Sequence, residues 1–439
     1  MNQVKLNINN FSWLLGTMIL KVILSIFISI WIARYLGPTD FGLLNYVISL
    51  VALISILSTL GIEHILVKRL IETPENSNIL IGSSFLLKLI GSLILVSIAI
   101  VFALLKDENT IFIILISFIS LSYIFKAFDV IRYWFEAHKL SKESSRIDLY
   151  CLFFVSLFKI ILILLNAELI WFAFSILLES IILAIGLSII YVKNNSLFFW
   201  KTSISTMKEL LVDSWPLILA GVLFTIYTKI DQIMLGDLID NKAVGIYVAA
   251  VTLSQGWLFV PTIIAKAFYP QMLEAKKTSR EKYLETTQHL LNIIALLSIM
   301  VSIIISIISY YLVYYTFGID YILSAPILTL HIWGGIFTAM SAISYRYFIS
   351  ENLQKTSFYR GLSGLIINVL LNIILIPLYE GLGASIATVI SLAFSLYIFN
   401  AFTNNTKEMF LMQTKALLLT KSFYSLKYLI NLIKQRNNQ

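Results

Sequence analysis

Twelve stretches of this chain are each apolar enough to enter a lipid bilayer, and a chain so built has few folds open to it. The runs cover 11–33, 41–62, 80–105, 110–131, 149–165, 169–192, 214–235, 243–269, 289–315, 325–349, 358–378 and 382–402. Crossing the hydrocarbon core takes about 20 largely apolar residues, and only 149–165 falls short of that. Lipid offers no water to the backbone, so each run should be a helix that satisfies its own N–H and C=O groups. Composition agrees, with 59% hydrophobic and 13% charged residues against roughly 45–50% and 25% in soluble domains. The first run is too long for a signal-peptide core and lacks a small-residue cleavage site, so it reads as an uncleaved span. An all-α integral membrane fold is expected.

The net charge of +8 would suit nucleic acid if it formed one basic face. It does not, because the charges sit in short loops between apolar runs, and no nucleic-acid partner is expected. With the N-terminus in the cytoplasm, cytoplasmic segments hold 23 Lys and Arg, and outer loops hold three (Arg34, Lys106, Lys242). That alternation follows the positive-inside rule and supports an even number of spans with both termini cytoplasmic. Segment 404–439 is not a thirteenth span, because Lys415, Lys421, Lys427 and Lys434 interrupt it. Leu418, Leu419, Phe423, Leu426, Leu429, Ile430 and Ile433 share one helical face, the pattern of a basic amphipathic helix on anionic lipid. The aromatic stretch Leu197–Trp200 reads as an interfacial anchor. The lone cysteine, Cys151, lies in an apolar run and supports neither a disulfide nor a metal cluster.

The chain also repeats itself. Arg132, Tyr133 and Arg146 recur as Arg346, Tyr347 and Arg360, all at an offset of 214. Leu36-Gly37 followed by Gly42 is echoed by Leu235-Gly236 followed by Gly245. This divides the chain into a bundle over 1–205, a bundle over 206–403 and the tail. Both halves start on the same side, so the repeat is parallel, and duplicated bundles of this kind hold substrate between the halves and work by rocking.

Several segments carry a family likeness. Ile32-Ala33-Arg34-Tyr35-Leu36-Gly37-Pro38 with Phe41-Gly42, Asp129–Glu136, Lys229–Gly236, Glu351–Lys355 and Gly383–Thr388 resemble, in order and spacing, the bacterial O-antigen flippase (Wzx) family. The likeness runs over roughly residues 11–403. It implies the multidrug and polysaccharide exporter superfamily and a MATE-like fold of two six-helix bundles around a central cavity. It also implies a cargo, an oligosaccharide repeat unit on undecaprenyl pyrophosphate, moved across the bacterial inner membrane. A polysaccharide polymerase and a chain-length regulator would then be its working partners. No cofactor is implied beyond H+ or Na+ coupling.

A charge deep in the bilayer costs something like 2.5–3.5 kcal/mol on insertion scales, so each needs a reason. Lys21, mid-way along the first run, reads either as a cation for the pyrophosphate or as the partner of a carboxylate on another helix. Lys229, at a nearly repeat-related place, carries the same two readings, and Lys88 and Arg34 are further candidates for the anionic head group. Arg132, Arg146, Arg346 and Arg360 stand where a cytoplasmic gate would first meet a diphosphate, and equally where the positive-inside rule alone would put them. Asp231, Glu179 and His331 are candidates for ion coupling, Glu179 having Lys159 within reach as a structural partner. Pro261 removes a helical hydrogen bond and should kink its span.

Other functions remain to be weighed. A multidrug exporter would be expected to show carboxylates for cationic drugs, whereas the deep residues lean basic. A peptidoglycan-precursor flippase shares the diphosphate logic. A membrane polymerase or ligase needs a long outer loop for its chemistry, and the longest here, 317–324 and 236–242, are too short, so no enzyme is expected.

Overall fold

The computed structural model describes residues 2–106, 109–193, 195–419 and 425, and no strand occurs among them. Its helices are α1 (Asn2–Ile54), α2 (Ile56–Thr59), α3 (Ile62–Glu72), α4 (Ser77–Leu105), α5 (Thr110–Phe125), α6 (Val130–Ala137), α7 (Ser141–Leu164) and α8 (Leu169–Val192). They continue with α9 (Ile204–Leu238), α10 (Asn241–Gln255), α11 (Phe259–Thr278), α12 (Arg280–Thr316), α13 (Ser324–Ser350), α14 (Gln354–Leu396) and α15 (Lys407–Leu417). Among the described residues 10 helical stretches are long and apolar enough to cross a membrane. The chain is a multi-pass membrane protein.

Ten stretches carry twelve apolar runs because two of them are broken. In α1 the backbone leaves helical geometry at Gly37, with φ 72° and ψ 170°. Pro38 follows, which drives the residue before it out of the helical region, and glycine takes a positive φ at no steric cost. The second break, at Glu380 (φ 50°, ψ −128°), divides α14 three residues after Pro377. Unbroken, its 43 residues would reach about 65 Å, twice a hydrocarbon core of ~30 Å. Gly383 permits the hairpin, since a Cβ there would lie 2.1 Å from the Leu375 carbonyl oxygen.

The short run at 149–165 is the apolar part of a full-length helix, α7, whose first two turns are polar. Span 8 is interrupted between Gln255 and Phe259, one turn before Pro261, where the missing proline N–H would have bonded. The second span also bends, at Leu60 and Gly61, both at positive φ.

The described chain forms two compact units, Met1–Gly236 and Asp237–Gln439. Nearly all of α9 therefore lies with the first unit, whereas the sequence repeat assigns it to the second half. The first unit buries Ile62, Leu66, Ile81, Val130, Ile131 and Tyr191 in a core of α3, α4, α6 and α8. Trp200, in the aromatic stretch, packs against Phe85 at 5.3 Å between ring centroids. In the second unit Leu291, Ile294, Met340 and Tyr347 join Met409, Met412 and Ala416, so α15 is part of the core. The remainder of the amphipathic face, Phe423, Leu426, Leu429, Ile430 and Ile433, lies outside the described residues.

Candidate functional site

In the first unit the charged side chains gather around a carboxylate that sequence alone does not single out. Lys21 Nζ donates to Asp148 Oδ2 at 2.7 Å, and Arg132 Nη1 donates to the same oxygen at 2.6 Å. Asp129 holds the far side of Arg132 at 3.7 Å. The Asp148 side chain is only 10% exposed, and its other oxygen, Oδ1, is buried without a hydrogen-bond partner among the described residues. Helix lengths explain how the three residues meet. Lys21 precedes the Gly37 break, and Asp148 the end of α7, by the same stretch of about 24 Å. That depth lies past the middle of a ~30 Å core, on the side where α7 and α6 place their arginines. The tie joins α1, α6 and α7.

Beside this cluster is a cavity of about 270 Å³, lined by Glu63, Lys126, Asp129, Arg132, Tyr133 and Ser180 among others. Lys88 is 2% exposed with its ammonium over the Tyr133 ring at 5.2 Å, and Asp129 and Glu63 supply the negative field that reaches it. A cation–π contact of this kind stabilises a desolvated ammonium. Arg146 does not join the group. It pairs with Glu143 one turn away at 2.9 Å, both about two-fifths exposed, the sort of surface pair that contributes little.

The remaining candidates of this unit are dispersed. Arg34 is exposed near the Gly37 break. Lys229 is half-buried in α9. Asp231 is buried, and its neighbour Gln232 accepts a 2.6 Å hydrogen bond from Ser49 of α1. Glu179 acts on Lys159 through its field without a direct ion pair among the described residues.

The second unit treats its repeated arginines differently. Arg346 Nη1 donates to the Ala342 carbonyl of its own helix at 2.7 Å, with its guanidinium 6.0 Å from the centre of the Tyr269 ring. Arg360 is buried, stacks on Phe348 at 4.8 Å and donates to Ser344 Oγ at 3.2 Å. Among the described residues neither has a carboxylate partner. His331 is buried, and its Nδ1 shares a 2.7 Å hydrogen bond with Ser254 Oγ of α10.

Two further networks also escaped sequence reasoning. Arg69 of α3 meets Asp213 of α9 at 2.5 Å and Glu209 at 3.6 Å. The hydrogen bond from Asp213 raises the Arg69 guanidinium above its ordinary value. In the second unit Glu351 pairs with Lys276 at 2.8 Å and with Arg280 at 2.9 Å. Arg280 also reaches Glu408 of α15, to which Tyr347 donates at 2.7 Å. Burial alone would raise the Glu351 carboxyl, but the hydrogen bonds from Lys276 and Arg280 outweigh it and hold it below the usual carboxylate range.

What the first-unit cluster can do follows from its charges. Two partly exposed cations converge on one oxygen of a largely buried carboxylate, and Lys and Arg both bind phosphate well. An anionic group brought there would compete with Asp148 for partners already oriented.

A family model described as polysaccharide biosynthesis protein matches residues 8–276. None of the curated proteins compared with the chain matches it. Among solved structures, "Lipid II flippase MurJ, inward closed conformation" superposes with a TM-score of 0.74 at 15% identity, covering 95% of this chain and 96% of that one. An inward-facing multidrug resistance MATE family transporter of the MOP superfamily gives 0.68 at 14% identity, over 92% and 96%. A MOP superfamily transporter from Pyrococcus furiosus, titled for the reverse polarity of its binding pocket, gives 0.57 at 14% identity, over 92% and 95%. These likenesses fix the fold as that of MOP superfamily transporters, and the family match, which spans more than half of the sequence, shows that the chain belongs to the polysaccharide biosynthesis protein family.

Proposed function

We propose that this chain is a flippase that carries undecaprenyl-pyrophosphate-linked oligosaccharide repeat units, of O-antigen, capsule or another surface polysaccharide, across the bacterial inner membrane by alternating access. The observation that carries the reading is the family match over 8–276. The chemistry of the first unit supports it. Lys21, Arg132 and Lys88 place three cations on one side of the bundle, and a diphosphate is the anionic part of such a cargo. Lys229 of α9 and Arg34 are further cations along its route, while Arg346 and Arg360 offer the same chemistry in the second unit. The polyprenyl tail stays in lipid, since moving it through a polar path would forfeit its burial.

Orientation follows the loop charges, with both termini in the cytoplasm and the basic ends facing the side where the cargo is made. Coupling to H+ or Na+ resets the cycle, and Asp231, Glu179 and His331 remain its sequence-level candidates. Anionic lipid is the partner of the basic tail, and a polymerase with its chain-length regulator takes the delivered unit. No catalytic step is assigned to the chain.

A second reading, a flippase for a peptidoglycan precursor, is favoured by the fold likeness to the lipid II flippase, and it too uses a diphosphate. Complementation decides between them. Expression in a strain lacking its repeat-unit flippase should restore surface polysaccharide and clear the accumulated lipid-linked units. Rescue of a strain depleted of its lipid II flippase, without restored polysaccharide, would favour the second reading. Restored drug efflux alone would point to a multidrug exporter.

A further inference from the structure

Asp148 is the residue that the proposed function leaves unexplained. Stabilising Lys21 and Arg132 would need only one well-placed carboxylate sharing both of its oxygens. Here both cations crowd Oδ2, at 2.7 and 2.6 Å, and Oδ1 is left buried with no hydrogen-bond partner among the described residues. A buried carboxylate oxygen without a hydrogen bond is costly unless something else visits it.

We propose that Asp148 is an internal stand-in for the cargo's diphosphate: the phosphate takes Lys21 and Arg132 from it, and the released carboxylate binds a proton at Oδ1. This rests on the reading of the chain as a flippase for a diphosphate-linked cargo. The physical logic is one of exchange. A carboxylate this buried cannot remain charged once both of its cations turn to another anion, and protonation is the ordinary escape. Only a proton from solvent is required, and it leaves again when the cargo departs and the two cations return. Binding and protonation then become linked in both directions.

The groups around Asp148 fit that role. From α1 it faces Lys21, and from α6 Arg132, which Asp129 grips from behind at 3.7 Å. On its own helix Cys151 lies one turn on, and α8 supplies Glu179, whose field acts on Cys151 and whose carbonyl accepts from its thiol at 3.5 Å. Asp129 keeps Arg132 oriented when Asp148 lets go. On the α8 side the field of Glu179 acts on Cys151 and on Lys159.

The test uses the full-length protein in nanodiscs and farnesyl-diphospho-N-acetylglucosamine, a diphosphate diester with no titrating proton of its own near neutrality. Calorimetry in two buffers of different ionisation enthalpy counts protons taken up on binding. Wild type should take up close to one, while Asp148→Asn should take up none and bind roughly tenfold tighter, its internal competitor having lost its charge. Asp148→Glu, which keeps the carboxylate, should keep the proton uptake. Equal proton counts in wild type and Asp148→Asn, or weaker binding by Asp148→Asn, would overturn the stand-in role. Should Asp148→Asn not fold, zero uptake by wild type overturns it alone. The underlying reading is checked separately by Lys21→Ala and Arg132→Ala. If neither weakens binding, or wild type does not bind the probe, the cluster is not the diphosphate site and both ideas fall.

Discussion

The two halves keep the same arginines and give them opposite surroundings. In the first unit Arg132 is neutralised by Asp148, with Asp129 behind it. In the second, Arg346 bonds its own helix and Arg360 lies on an aromatic ring beside a serine. The reason is legible at the offset of 214, because Asp148 corresponds to Leu362 and Asp129 to Ile343. The cations recur at the offset and the carboxylates do not. One half therefore holds its arginine against carboxylates, and the other holds its arginines without them. For the proposed diphosphate cargo, that asymmetry would let the covered cations give the cargo back.

The comparison breaks most readily at Arg132. Removing Arg132 leaves Asp148 with Lys21 alone, at a cost of about 2 kcal/mol, the size of a charged hydrogen bond. Arg132→Ala should therefore lower the stability of the purified protein by that order in a detergent melt. Arg346→Ala, which removes no counter-ion, should change it by about 0.5 kcal/mol. Similar losses from both would show that the two arginines are not differently held.

The missing carboxylate can also be put back. Leu362→Asp restores the residue corresponding to Asp148, within the helix pair that carries Arg346 and Arg360. It should stabilise the second unit by about 1 kcal/mol, the size of a net hydrogen bond. Flux should fall about fivefold, as a coupling of that size implies, read as surface polysaccharide in complemented cells. A variant that gains stability and keeps full flux would mean that uncovered charge in the second half is not used.

Carboxylates are not absent from the second unit; they are spent on holding α15. Glu351 joins Lys276 and Arg280, and Glu408 of α15 meets Arg280 and Tyr347. Because the Glu351 carboxyl is held down, it contributes stability above its unfolded value near 4.5. That contribution disappears as pH falls through the lower folded value. Glu351→Gln should cost about 1 kcal/mol at neutral pH, and the gap to wild type should close below pH 4.5. A gap that persists in acid would mean that the glutamate acts through packing rather than charge.

How much of this was visible in the sequence depends on distance along the chain. The twelve runs were legible because lipid demands length and apolarity in each span separately, and the Gly37-Pro38 break was marked by residue type. The repeated arginines were legible because contiguous register keeps the offset of 214 constant. Asp148 was not, since nothing local distinguishes an aspartate near a helix start, and its tie to Lys21 joins residues 127 apart. The same holds for Arg69 and Asp213, 144 apart. For Lys21 the sequence leaves open a cation for the pyrophosphate or a carboxylate partner, because periodicity gives a side chain's depth and face without saying what stands opposite.

The finest test asks whether proton sensitivity belongs to the first unit alone. His331 is the obvious rival, a buried histidine in the second unit whose unperturbed value lies near neutrality. In the structure its Nδ1 is engaged by Ser254, and Tyr247 lies edge-on to its ring at 6.1 Å, a setting that fixes the ring between α10 and α13. Ser254→Ala should therefore cost about 1 kcal/mol, as loss of one buried hydrogen bond does, and leave the pH profile of transport where it was. His331→Gln, which keeps a partner for Ser254, should be quieter still. Asp148→Asn should flatten that profile. If His331→Gln flattens it and Asp148→Asn does not, the switch lies in the half with the uncovered arginines, and the division of labour between the units is the reverse of the one drawn from their charges.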